Sequence, residues 1–145
     1  MGVLLLVNGG FMLLSSLISL FYNDGFVEKI TISSLIVISA GFVFLFFGRG
    51  YEKQIQKREG YLIVTLGWIL MSITGTIPYI MTGVIPQFSS SFFESMSGYT
   101  TTGATIIEKI DSLPKGILFW RSTTHWIGGM GIIVLAIAIL PFLGI

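Results

Sequence analysis

Apolar residues in this chain run in blocks of about 20, the length that crosses the hydrocarbon core of a bilayer. The blocks occupy residues 3–22, 30–48, 61–83 and 115–143. Lipid offers no hydrogen bonds to a backbone, and an α-helix satisfies its own within one segment. Composition agrees: 53% of residues are hydrophobic and 10% charged, with a mean hydropathy of +0.89. No water-facing surface is that apolar. The class that follows is an all-α membrane protein. Eight basic residues cannot build the charged face that nucleic-acid binding requires. With no cysteine and one histidine, His125, neither disulfides nor a thiolate or histidine-cluster metal site can form.

The first block is read as a spanning helix rather than a signal peptide, because no basic residue precedes it and no small-x-small cleavage site follows. Asn8, Gly9 and Gly10 lie within it. Small residues there favour close helix contact, with a ligand role for the Asn8 amide as the alternative. Asn23, Asp24 and Gly25 form a turn. In the second block Ser33, Ser34 and Ser39 can bond back to their own helix.

Charge sets the orientation. The connector at residues 49–60 carries Arg49, Lys53, Lys57 and Arg58 against Glu52 and Glu59, whereas the first connector has Asp24, Glu28 and Lys29. The excess of Lys and Arg places 49–60 in the cytoplasm. The stretch after the third block, with Glu94, Glu108 and Asp111 against Lys109 and Lys115, then lies outside. Gly75 and Pro78 predict a kink in the third block, and Gly83 with Pro86 end it. The fourth block, opened by Leu113 and Pro114, is long enough to require tilt. It carries Trp120 and Trp126 early, Gly128, Gly129 and Gly131 centrally, and Pro141 and Gly144 at its end.

Between the third and fourth blocks stands FSSSFFESMSGYTTTGAT, residues 88–105. Residues 89–99 predict a helix too short to cross, with Ser89 or Ser90 as its N-cap and Phe92, Phe93 and Met96 packed on the spans. A threonine run broken by Gly103 follows. A short helix feeding extended polar backbone between two spans is how an ion filter is built. Backbone carbonyls replace the water shell of a cation, and turning them to one axis needs residues of alternating handedness, which Gly103 adopts without cost. The helix C-terminus adds a favourable dipole. An external turn is the plainer reading of the same residues.

The run FFESMSGYTTTGATII, with LPKGILFWRSTTHWIGGMGIIVLAIAILP after it, resembles the first pore repeat of the Trk/Ktr/HKT superfamily of potassium transporters, in its bacterial TrkH-type branch. The resemblance is strongest over residues 60–144. It implies two additional N-terminal helices (1–48), a connector (49–60) and one helix–pore-loop–helix repeat (61–145: span 61–83, pore helix and filter 88–105, span 115–143). Four such repeats surround one pore, so one repeat alone implies a truncated chain. The implied function is potassium uptake across the bacterial inner membrane, with no enzymatic activity and no cofactor in this segment. Thr101, Thr102, Gly103, Ala104 and Thr105 become one quarter of the filter, with K+ held at Thr102 and Gly103. The implied partners are the other three repeats, a second copy in a homodimer, and a cytoplasmic nucleotide-binding regulatory subunit. The resemblance departs at the pore-helix start, where an acidic residue is expected and Ser89 to Ser91 stand.

Two intramembrane charges, Glu94 and Arg121, are a candidate structural pair. Arg121 acting as a barrier to cations, or snorkelling to the interface, are the alternatives. His125 is read as a packing residue. Two rival functions are an intramembrane serine protease using Ser97 and His125, and a non-transporting assembly subunit. Ser95 stands where a nucleophile turn would place glycine, which disfavours the protease.

Overall fold

The computed structural model describes residues 1–48 and 57–139. Helices α1 (Gly2–Tyr22) and α2 (Val27–Phe47) form an antiparallel hairpin, each 21 residues long. Small and hydroxyl residues bring them close. A Cβ at Gly41 would stand 2.9 Å from Leu6 Cδ2, and Ser34 donates to the Gly9 carbonyl at 2.8 Å. Ser16 and Thr31 share a hydrogen bond of 2.6 Å between the helices. These contacts matter because, in lipid, helices associate through tight packing and polar links rather than hydrophobic burial. At the hairpin turn, Asn23 takes φ 51° and its amide returns to the Leu20 carbonyl, a left-handed helix cap.

The third apolar block is two helices, α3 (Lys57–Gly75) and α4 (Ile77–Thr82), separated at Thr76 with Pro78 in the first turn of α4. The missing proline N–H explains the break. Trp120 donates its indole N–H to the Gly75 carbonyl at this break, at 3.2 Å. Helix α3 begins at Lys57, inside the stretch read as connector, since Lys, Arg and Glu are good helix formers and extend a span beyond the apolar core.

Helix α5 (Phe88–Tyr99) has 12 residues, about 18 Å of rise. It is followed by a loop with one 3-10 turn (Ile110–Ser112) and by α6 (Lys115–Ile139). Among the described residues three stretches, Gly2–Tyr22, Val27–Phe47 and Glu59–Thr82, are long and apolar enough to cross a membrane. Helix α6 is 25 residues long, and its first half carries Arg121, Ser122, Thr123, Thr124 and His125. Residues 49–56, which carry most of the charged connector, and 140–145, with Pro141 and Gly144, lie outside the described residues.

The core draws on α1, α2, α4 and α6: Leu5, Met12, Ile30, Val37, Tyr79, Ile117 and Trp120 are buried together with Ile85. Helix α1 also meets α6 at Gly116, where a Cβ would stand 2.6 Å from Ser19 Cβ. Phe11 and Trp126 stack edge to face at 5.5 Å between the same helices. The short α5 packs on one side against α3, α4 and α6, with its C-terminal end leading into the threonine loop; Phe93, expected against the spans, is instead half-exposed.

Candidate functional site: the loop after the short helix

Helix α5 starts at Phe88, with Gln87 in the extended cap position (φ −82°, ψ 128°) and no side-chain cap hydrogen bond. The expected serine cap is therefore corrected. Ser91 donates to the Ile85 carbonyl at 2.6 Å, and Ser90 to Gln87 Oε1 at 3.3 Å. Those hydroxyls serve the preceding loop instead of the helix amides.

At its other end the helix tightens and the chain turns out. The amides of Thr100, Thr101 and Thr102 donate to the carbonyls of Met96, Gly98 and Ser97, at 2.8, 2.9 and 3.0 Å. Two positions then take the left-handed region, Thr101 at φ 57° and Gly103 at φ 77°. Gly103 was legible from the sequence. Thr101 was not, because a β-branched residue is a poor occupant of that region and no local signal marks it. The result is an alternation of backbone handedness across Thr100 to Gly103. A Cβ at Gly103 would meet nothing within 4 Å, so the constraint there is torsional, not steric.

The returning limb is held by Glu94. Its side chain is 1% exposed, and its carboxylate accepts from three donors. Thr105 Oγ1 lies at 3.0 and 2.9 Å from the two oxygens, the Ile106 amide at 3.1 Å and Arg121 Nε at 2.8 Å. Glu94 thus joins α5, the loop and α6 at one point. Arg121 is 15% exposed, so its charge is shielded mainly by this carboxylate. A second brace is the Ser97 hydroxyl, which donates to the Ala104 carbonyl at 2.6 Å. The candidate protease nucleophile is therefore engaged with the loop and donates to no histidine. His125 is half-buried beside Gly98, at 3.6 Å from where a Cβ would stand.

Tyr99 anchors the hinge between helix and loop. Its ring is fully buried and its hydroxyl donates to Asn8 Oδ1 on α1. Its backbone lies against Gly128 of α6, where a Cβ would stand 2.7 Å from the Tyr99 carbonyl carbon. Asn8 is thus neither a spacer nor an ion ligand. Sequence reasoning missed it because its partner is 91 residues away.

Residues 100–106 are all exposed. Thr101, Thr102, Gly103, Ala104 and Thr105 thus come together on one open face. Beside them is a hollow of about 240 Å³ lined by Phe92, Phe93, Met96, Thr100, Thr102 and Ala104. Among the described residues no cluster of three or more His, Cys, Asp or Glu could hold a metal. Any cation here would meet backbone carbonyls and threonine hydroxyls, which suit a weakly held, partly dehydrated ion.

Residues 26–145 match the family model TrkH, described as a cation transport protein. The Trk system potassium uptake protein TrkH of Salmonella typhimurium is 41% identical over 145 residues, which is 99% of this chain and 30% of that protein. TrkG of Escherichia coli, also a Trk system potassium uptake protein, is 38% identical over 135 residues. The crystal structure of the potassium transporter TrkH from Vibrio parahaemolyticus superposes with a TM-score of 0.90 at 41% identity, covering 99% of this chain and 31% of that one. The chain spans about a third of the length of these relatives.

Proposed function

Because the chain belongs to the TrkH family of cation transport proteins, we propose that it supplies one of four filter loops for potassium uptake across a bacterial inner membrane. The observation that carries this reading is the loop Thr101 to Thr105, with Thr101 and Gly103 at positive φ directly after a 12-residue helix too short to span. Alternation of handedness turns successive peptide groups, and the negative end of the α5 dipole favours a cation at the same place. K+ would be held by carbonyls around Thr102 and Gly103, on the face that residues 100–106 leave open.

The open face then receives the remaining three repeats of a longer polypeptide. This accords with relatives about three times as long as the chain. The segment divides into two accessory helices (1–48), a cytoplasmic connector (49–60) and the repeat itself (61–145). The filter faces outward, by the charge asymmetry of the connectors. A homodimer and a cytoplasmic nucleotide-binding regulatory subunit complete the assembly in this reading. Glu94 and Arg121 act in it as a structural pair. The chemistry needed is ion dehydration and passage, with no covalent step. Ser97 supports no protease reading, since its hydroxyl braces Ala104.

The test is potassium uptake by the full-length protein in a host lacking its own potassium uptake. Growth at low potassium is expected with the wild type. Gly103→Ser is expected to lower discrimination of K+ over Na+, because the added side chain disfavours φ 77°. Wild-type protein in the membrane with no potassium uptake would refute the proposal.

A further inference from the structure

Asn8 belongs to α1, a helix that contributes nothing to the loop itself, yet it is fully buried and both ends of its carboxamide are used. Oδ1 accepts the Tyr99 hydroxyl, and Nδ2 donates to Thr74 Oγ1 of α3 at 3.1 Å. Thr74 in turn donates to the Leu70 carbonyl at 3.0 Å, so its own hydroxyl stays satisfied without Asn8. Tyr99 is the last residue of α5, and Thr100 to Thr102 fold back on the turn that it ends. Its ring is closed in by Gly75, where a Cβ would stand 2.9 Å from Cε2, and its backbone by Gly128. Packing therefore limits sideways movement of the ring, while the hydroxyl is tied to one atom of α1. Tyr79 is equally buried, but its hydroxyl has no partner among the described residues. Of these two tyrosines, Tyr99 alone is tethered through its hydroxyl.

We propose that Asn8 is a positioning residue for ion selectivity: through the Tyr99 hydroxyl, accessory helix α1 sets where the filter strand begins. The inference rests on the transport reading of the loop. A filter discriminates ions by the spacing of its oxygens, and a shift at its first residue is passed to Thr101 and Gly103 through a short, torsionally constrained backbone. A polar amide in an apolar span is costly unless it is bonded, which is why a buried Asn marks a specific attachment.

The experiment measures K+ and Na+ uptake, and KM for K+, in the full-length protein, normalised to protein in the membrane. The variants are Asn8→Leu, Tyr99→Phe, the double variant, and Gly103→Ser as reference. Each single variant is expected to lower K+/Na+ discrimination about fivefold, the low end of couplings between distinct sites. The double variant should be no worse than either single one, since both remove the same bond. Its amount in the membrane should recover, because neither partner is left unsatisfied. A purely structural role predicts the opposite pairing: discrimination and KM at wild-type values, with uptake falling only as protein amount falls. That result overturns the inference. If Asn8→Leu does not accumulate, Tyr99→Phe, which removes one oxygen, decides alone. A normal response at Gly103 with none at Tyr99 overturns this inference but leaves the transport reading. Absent K+ uptake in the wild type, or a Gly103→Ser protein of unchanged selectivity, overturns both.

Discussion

A carboxylate inside an apolar helix bundle must have its lone pairs occupied, and Glu94 does so with donors from the loop, Thr105 and Ile106, and from α6, Arg121. Glu94→Gln keeps the shape but puts an NH2 group where at least one donor already points. It also leaves Arg121 without its counter-charge. Breaking such a pair costs roughly 3 kcal/mol at the low end of buried pairs, appropriate because Arg121 keeps some access to the surface. The expected result is a lower thermal midpoint of the detergent-solubilised protein and loss of uptake; a Gln variant with wild-type midpoint and uptake would show that the pair is dispensable. Thr101 makes the opposite prediction. Its φ of 57° is unfavourable for a β-branched residue by about 1 kcal/mol. Thr101→Gly should therefore raise the thermal midpoint while weakening discrimination between ions, since the hydroxyl and the stiffness are lost. A lower midpoint would show that contacts of the threonine outweigh its torsion.

At the scale of elements, the fit between α5 and α6 depends on Gly128. The atoms facing it are Tyr99 backbone, which has no rotamer to change. Gly128→Ala must move one helix, at a cost of about 1–3 kcal/mol for overpacking. Loss of uptake out of proportion to loss of protein is expected, because the displaced backbone is the base of the loop. Gly129→Ala is the comparison, since a Cβ there would find only Thr101 Cγ2, at 3.9 Å. The turn between α1 and α2 adds a pH-dependent link. Burial works against the charged form of Asp24. Hydrogen bonds from the Gly116 amide, the Ser19 hydroxyl and the Phe26 amide outweigh it, and hold the carboxyl below its ordinary 3.8. A lowered folded-state pKa means stability fully present above pH 3.8 and lost as the pH falls through the folded value. Thermal midpoints measured from pH 7 downward should therefore fall on the acid side of about 4, with a smaller acid-side fall in Asp24→Asn. An identical acid profile in both proteins would remove Asp24 from that role.

For the whole molecule, orientation is the property that composition addresses and helix packing does not. If the connector is cytoplasmic, a cysteine at Lys53 in this cysteine-free chain should react with an impermeant thiol reagent only after the cells are opened. A cysteine at Ser112, in the loop before α6, should react in intact cells. The reverse pattern would invert the topology and with it the outward-facing filter. The same scale explains the surface. Leu17, Leu20, Phe42 and Phe46 are each about 60% exposed or more, as lipid-facing residues should be. The exposed threonines of residues 100–105, being polar, have no such destination.

The sequence by itself determined the helical class, the approximate spans, the break at Gly75 to Pro78 and the place of the loop. Each of these follows from local chemistry: length of apolar runs, a missing proline N–H, the torsional freedom of glycine. The family resemblance was equally legible, because the threonine-glycine loop and the tryptophan-glycine run after it lie close together in the chain. Glu94 and Arg121 could be paired on paper, since two charges in lipid have few alternatives. The tertiary structure decided the rest. It gave Glu94 its further donors, Thr105 and Ile106, put Thr101 in a left-handed conformation, and moved the helix cap from Ser89 or Ser90 to Gln87. It also joined Asn8 to Tyr99 and Asp24 to Gly116 across more than 90 residues. None of these has a local signature. A hydroxyl, an amide or a carboxylate accepts whichever partner packing delivers, and packing is a property of the assembled helices.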